Sequence, residues 1–195
     1  MIAHHDNTTE AQRQSIQTAI DATKSAAERN RLGQFATPNA LAVDIARYVG
    51  TLIGTRKRGI RFADPSIGSG SFFSAALAVY GPKRLESAVG VELDSAFADA
   101  ARNLWADAGL EVVRGDFTRV VANGSCPPAP NLILANPPYV RHHHMDREDK
   151  ERLQRLAFKM TGVEVNGLAG LYVYFLLLAT AWMEKAACSS SIFPD

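Results

Sequence analysis

Cysteine is scarce in this sequence, with two in 195 residues. Cys126 and Cys188 stand far apart and show no metal-ligand spacing. One structural disulfide stays open, but free thiols in a reducing cytoplasm are the expectation. An excess of one charge is also missing: 21 Lys and Arg against 20 Asp and Glu leave a formal net charge of +1. No whole-domain basic field advertises a polyanion partner, although a local basic stripe stays compatible with that balance. Long apolar runs are absent. The most apolar stretch, Leu168 to Met183, follows Gly167, contains Gly170 and runs into Glu184-Lys185, so it reads as a buried helix and not a membrane span. Met1 to Glu10 is polar and has no signal-peptide core, so neither secretion nor a membrane partner is expected. No internal repeat is present, and the one low-complexity patch is Gly124 to Pro130. What is present is a hydrophobic fraction of 47%, enough for one domain with a real core.

The periodicity divides the chain. Thr9 to Asn30 reads as a helix whose thin stripe of Ile16, Ala19, Ile20 and Ala27 predicts weak packing, with Gly33 ending it. A second helix is expected after Pro38, with Thr37 as its N-cap and Leu41, Ile45 and Tyr48 or Val49 as its apolar face. Beyond a basic turn at 56–59, strands are expected at Ile60 to Ala63, Ser87 to Leu93, Leu110 to Val113 and Asn131 to Ala135. Helices are expected at Ser71 to Tyr80 and Ser95 to Ala108. Strands alternating with helices predict an α/β fold, a three-layer arrangement with a mainly parallel sheet.

Four short segments sit where those strands end. Asp64-Pro65-Ser66-Ile67-Gly68-Ser69-Gly70-Ser71-Phe72-Phe73 is a strand followed by small residues that let the backbone approach a ligand closely. It is not GxGxxG and lacks the lysine of a phosphate-binding loop, and a tight strand-to-helix turn explains it too. Gly90-Val91-Glu92-Leu93-Asp94 puts an acid at the end of the second strand, suited to both hydroxyls of a ribose or simply solvated. Gly115-Asp116-Phe117 closes the third strand, either as a turn or as a receiver for the amine and ring of an adenine. Asn136-Pro137-Pro138-Tyr139 is the most specific. Two prolines stiffen the loop and remove two amide donors, which leaves carbonyls, an amide side chain and a phenol ring facing a cleft.

In this order and spacing the motifs resemble the gamma-class adenine-specific DNA methyltransferases of restriction–modification systems, from about Arg29 to the end of the sequence. Gly33-Gln34-Phe35-Ala36-Thr37-Pro38 looks like that family's leading motif, and Gly170-Leu171-Tyr172-Val173-Tyr174-Phe175 like the helix that supports the catalytic loop. The resemblance implies a class I S-adenosylmethionine-dependent methyltransferase, Rossmann-like, with strands in spatial order 3-2-1-4-5. It implies S-adenosylmethionine as cofactor, with Thr37, Asp64, Pro65, Gly68, Gly70, Glu92, Leu93, Asp116 and Phe117 as its contacts. Asn136, Pro137, Pro138 and Tyr139 become the catalytic loop. The Asn136 side-chain oxygen and the Pro137 carbonyl would accept the N–H groups of the target amine, and Tyr139 would stack on a flipped base. Residues 1–32 are then a helical extension, and 33–195 a catalytic domain lacking its last strands and its target-recognition part. The partners implied are double-stranded DNA, that recognition part and a cognate restriction endonuclease.

Two departures from the family's pattern stand out. Ala186-Ala187 replaces a glycine pair, and the fifth strand is expected near Ser190 to Phe193, at the very end of the sequence. Such an edge predicts self-association and poor activity for these residues alone. No metal is expected, because the adjacent His142, His143 and His144 cannot easily all face one ion. Two rival readings share the motifs: methylation of a release-factor glutamine or a ribosomal guanine amine, and an inactive cofactor-binding fragment or subunit.

Overall fold

A computed structural model describes residues 7–53, 59–122 and 129–188. The expected fifth strand and part of the basic turn lie outside the described residues. The helices are α1 (Asn7–Ala22), α2 (Ala26–Leu32), α3 (Asn39–Ile53), α4 (Ser71–Tyr80), α5 (Ser95–Trp105), α6 (Phe117–Ala122), α7 (Arg147–Thr161) and α8 (Leu171–Cys188). The strands are β1 (Ile60–Asp64), β2 (Leu85–Glu92), β3 (Leu110–Arg114) and β4 (Leu132–Ile133).

The four strands form a parallel sheet in the order β3-β2-β1-β4. Their side chains alternate between two apolar layers, as a period of two requires. Phe62, Ala88, Leu110, Val112, Leu132 and Leu134 face α3, α4 and α5. Ala63, Val89 and Val91 face the other way, onto Phe117, Val121, Phe175, Leu178 and Trp182 of α6 and α8. The three-layer expectation is met, and the observed order matches the described part of 3-2-1-4-5. Outside this sandwich α7 packs on α8 through Leu153, Ala157 and Tyr174. Among the described residues no helix is long and apolar enough to cross a membrane.

Three local readings need correction. The expected single helix over Thr9 to Asn30 is two. Ser25 starts the second with a capping box: the Glu28 N–H donates to Ser25 Oγ at 3.2 Å and the Ser25 N–H donates to Glu28 Oε2 at 2.7 Å. The apolar face of α3 is not Leu41 and Tyr48, which are exposed, but the fully buried Ala42 and Ala46 with Ile45 and Val49 beside them. Small residues let α3 lie close on α4, which large ones would hold away. Thr37 does not cap α3; its hydroxyl is turned to Asn136.

The turn into α4 depends on Gly70, which sits at φ 93°. A Cβ there would lie 2.3 Å from the Trp105 Nε1. That indole donates to the Ser69 carbonyl at 2.9 Å and its ring is buried edge-on against Phe73. Gly70→Ala combines overpacking with a left-handed backbone, so urea unfolding should show a loss of about 3 kcal/mol. A loss below about 0.5 kcal/mol, the range of an ordinary surface substitution, would show that Trp105 does not press on this loop.

Candidate active site

Parallel strands deliver their carboxyl ends to one edge of the sheet, and the loops that follow β1, β2, β3 and β4 meet there. They surround a cavity of about 580 Å³. Of the residues expected at the site, Thr37, Asp64, Pro65, Gly68, Glu92, Leu93, Asp116, Phe117, Asn136 and Pro138 line it. Gly70, Pro137 and Tyr139 do not, and Gly70 has the packing role given above.

At the end of β1, Asp64 is fully buried. Its Oδ1 accepts from the Ser66 N–H at 2.9 Å. Burial pushes its carboxyl up to about 7, the neighbouring Glu92 charge adds to this, and the bonds from Ser66 oppose it. Glu92, at the end of β2, spans two backbone donors: the Gly68 N–H at 2.9 Å on Oε2 and the Asp94 N–H at 2.8 Å on Oε1. Burial again raises its carboxyl, partly offset by those amide bonds. One carboxylate thus fixes the glycine loop against the second strand. Gly68, at φ 54°, has open space where a Cβ would point. Asp116, after β3, is engaged more than a free receiver would be. Its Oδ1 accepts from the Thr118 N–H at 2.9 Å and hydroxyl at 2.8 Å, and its Oδ2 lies 3.4 Å from Arg119 and 3.8 Å from Arg152. Phe117 is buried against Phe175 and Trp182, so its ring serves the core as well as the cavity wall.

The loop after β4 is clamped by the leading motif. Asn136 Nδ2 donates to the Phe35 carbonyl at 3.0 Å and to Thr37 Oγ1 at 3.2 Å. Both of its side-chain hydrogens are therefore committed, which fixes the amide plane and leaves Oδ1 as an acceptor beside the cavity. The Asn136 carbonyl accepts from Ser66 Oγ at 3.0 Å, and the Tyr139 N–H donates to the Gly33 carbonyl at 3.2 Å. Gly33 is needed for that approach: at φ 62°, its Cβ would stand 2.4 Å from the Tyr139 nitrogen. The Tyr139 ring, more than half exposed, stacks on Tyr172 at 6.1 Å and meets Phe35 edge-on at 6.4 Å. The chemistry this arrangement offers is an oriented acceptor, an aromatic platform and a carboxylate-rich pocket side by side.

No family model matches the chain. Over 163 residues, 80% of its length, it is 32% identical to the type II methyltransferase M.XamI of Xanthomonas campestris pv. amaranthicola. The match spans 28% of that relative, under a third of its length. A candidate class I S-adenosylmethionine-dependent methyltransferase from Listeria monocytogenes superposes with a TM-score of 0.66, covering 94% of this chain and 53% of its own, at 14% identity. The fold is that of the class I S-adenosylmethionine-dependent methyltransferases. A candidate RNA methyltransferase from Pyrococcus horikoshii aligns more loosely, with a TM-score of 0.47 over 74% of this chain and 68% of its own at 18% identity.

Within this methyltransferase fold, two groups of cavity residues escaped the sequence reading. Gln17 and Asp21 come from α1, and His144, Asp149, Arg152 and Leu153 from the segment that includes α7. Neither group lies in a recognisable motif; the signal available was polar residues at helical spacing, which a solvated face also shows. Among the described residues no set of three His, Cys, Asp or Glu side chains is grouped to hold a metal.

The raised carboxyl of Asp64 gives this methyltransferase fold a pH signature. Between its ordinary value of 3.8 and about 7 the folded state holds a proton that the unfolded state has lost. Stability from this group is therefore full below 3.8 and falls as pH rises through about 7, by at most roughly 1.4 kcal/mol per pH unit. Thermal melts from pH 5 to 7.5 should show a decline that Asp64→Asn flattens. Parallel curves for the two proteins would remove Asp64 as the source.

Proposed function

We propose that this chain forms the catalytic region of an enzyme that transfers a methyl group from S-adenosylmethionine to the exocyclic amine of a flipped adenine in duplex DNA. The observation that carries this reading is the clamped Asn136, whose donors are both occupied and whose Oδ1 lies free of any described partner beside the cavity. Similarity to a type II methyltransferase supports the DNA substrate.

The cavity suits a cationic cofactor. Asp64 and Glu92 are buried acids whose carboxyls burial has raised, so a positive ligand would restore their charge. Glu92 keeps acceptor capacity on both oxygens after its backbone bonds, which fits ribose hydroxyls. When bound, S-adenosylmethionine supplies an electrophilic methyl group on a positively charged sulfur. The protein's part is mainly positioning. Asn136 Oδ1 and the Pro137 carbonyl accept the two N–H bonds of the target amine, drawing its lone pair out of the ring. These bonds strengthen as the nitrogen becomes positive, so they favour the transition state over the bound substrate. Tyr139, backed by Tyr172 and edged by Phe35, offers a stacking surface worth about 1–3 kcal/mol toward extruding the base. The enzyme would work in the cytoplasm, with its recognition part and a cognate restriction endonuclease as partners.

Incubation of the protein with methyl-labelled S-adenosylmethionine and duplex DNA tests the reading. Nucleoside analysis should find N6-methyladenine. Methylcytosine, or label entering release factor or ribosomal RNA in place of DNA, would overturn it.

A further inference from the structure

The N-terminal helix is attached in an unusual way. Among the described side chains of α1 only Arg13 is buried, at 3% exposure, and it is a guanidinium. A helix kept only as a brace would bury an apolar stripe; this one is fastened by polar bonds, and they converge on the glycine loop. Arg13 Nη1 donates to Ser69 Oγ at 2.8 Å, while its Nε and Nη2 form a fork with Glu10 at 2.9 and 2.8 Å. Ser69 Oγ in turn donates to Gln17 Oε1 at 2.8 Å, and Ser74 Oγ donates to Glu10 Oε2 at 2.6 Å. Ser69 is the residue between Gly68 and Gly70, so Arg13 holds the loop that lines the cavity. A second anchor follows α1, where Lys24 pairs with Asp94, donates to Gln34 at 2.9 Å and lies 4.9 Å over the Phe97 ring. Between the anchors, one and two turns beyond Arg13, Gln17 and Asp21 line the cavity, joined by a 2.8 Å bond from Gln17 Nε2 to Asp21 Oδ2.

We propose that α1 is an outer wall of the cofactor cavity, with Gln17 and Asp21 on its ligand side and Arg13 as the residue that positions it. This rests on the reading that the cavity takes S-adenosylmethionine. Because polar bonds to the loop hold the helix, its attachment and the loop's ligand-binding shape are coupled: loosening one loosens the other.

The test uses S-adenosylhomocysteine as probe, with calorimetry and amide hydrogen exchange on the full chain. In the wild type the probe should slow exchange across residues 8–22. Arg13→Ala should weaken binding at least tenfold and speed exchange in those residues while α4, α5 and the sheet keep their protection. Arg13→Lys, which keeps the charge but loses the fork, should fall between. Gln17→Ala removes the bond from Ser69 but leaves the Arg13 and Glu10 anchors in place, so it should weaken binding several-fold and speed exchange over 8–22 less than Arg13→Ala does. Affinity unchanged in both Arg13→Ala and Gln17→Ala, or exchange over 8–22 unaffected by a probe that binds, overturns the proposal alone. A wild type that does not bind the probe overturns the cofactor reading and the proposal with it.

Discussion

Replacing Asn136 by alanine should abolish methyl transfer while S-adenosylhomocysteine still binds. The Asn136 side chain divides into two halves with different duties. Its Nδ2 ties the loop to the Phe35 carbonyl and Thr37 Oγ1, and its Oδ1 is the atom proposed to accept from the target amine. An oriented group that stabilises developing charge in a dry site is worth on the order of 10²–10³ in kcat when removed. Losing the clamp adds to this by freeing the loop, so the deficit should reach at least that range. Thr37→Val separates the halves, since it removes one of the two clamping bonds and leaves Oδ1 in place. Its kcat should fall far less. Single-turnover kinetics with calorimetry on each variant reads both quantities. An Asn136→Ala enzyme that keeps most of its rate would remove Asn136 from the chemistry. One that loses rate and ligand affinity in equal measure would make it a structural residue of the cavity.

Glu92→Ala should weaken S-adenosylhomocysteine binding by roughly 10–100-fold, the worth of about 1.5–3 kcal/mol for hydrogen bonds to a charged group. Two effects act together. The carboxylate that would accept ribose hydroxyls is gone, and the Gly68 and Asp94 N–H groups lose their shared acceptor, so the glycine loop is no longer tied to β2. Stability should respond less than affinity. The lost backbone bonds destabilise the protein, whereas removing a carboxylate that is only 8% exposed relieves a desolvation cost. Calorimetry beside urea unfolding distinguishes the two. Affinity within twofold of wild type would remove Glu92 from the site.

Much of the architecture was legible because parallel strands carry their own signature. Short apolar runs ending in Asp64, Glu92 and the turn before Asp116 marked β1, β2 and β3 to within a residue or two, and α4 came out at Ser71 to Tyr80 as read. α3 was misjudged because its contact with α4 is made by Ala42 and Ala46, and a hydrophobicity pattern gives alanine little weight beside Leu41 or Tyr48. The packing of α1 was misjudged for the opposite reason: its one buried side chain among those described is the polar Arg13, which its thin apolar stripe does not announce, and its partners Ser69 and Ser74 lie more than fifty residues away.

The sequence by itself determined the class of sheet, the order of the motifs along it, and which residue types stand at each strand end, because strand period, glycine turns and the Asn-Pro-Pro-Tyr loop are local properties of the chain. Only the tertiary structure decided what those residues do to one another. That Gly33 must lack a side chain because the Tyr139 backbone lies against it, that Gly70 serves Trp105, and that Asn136 spends both amide hydrogens on Phe35 and Thr37 depend on segments brought together from as far as just over a hundred residues apart. The same holds for the raised carboxyl of Asp64, since burial is a property of the packed molecule and not of the residue.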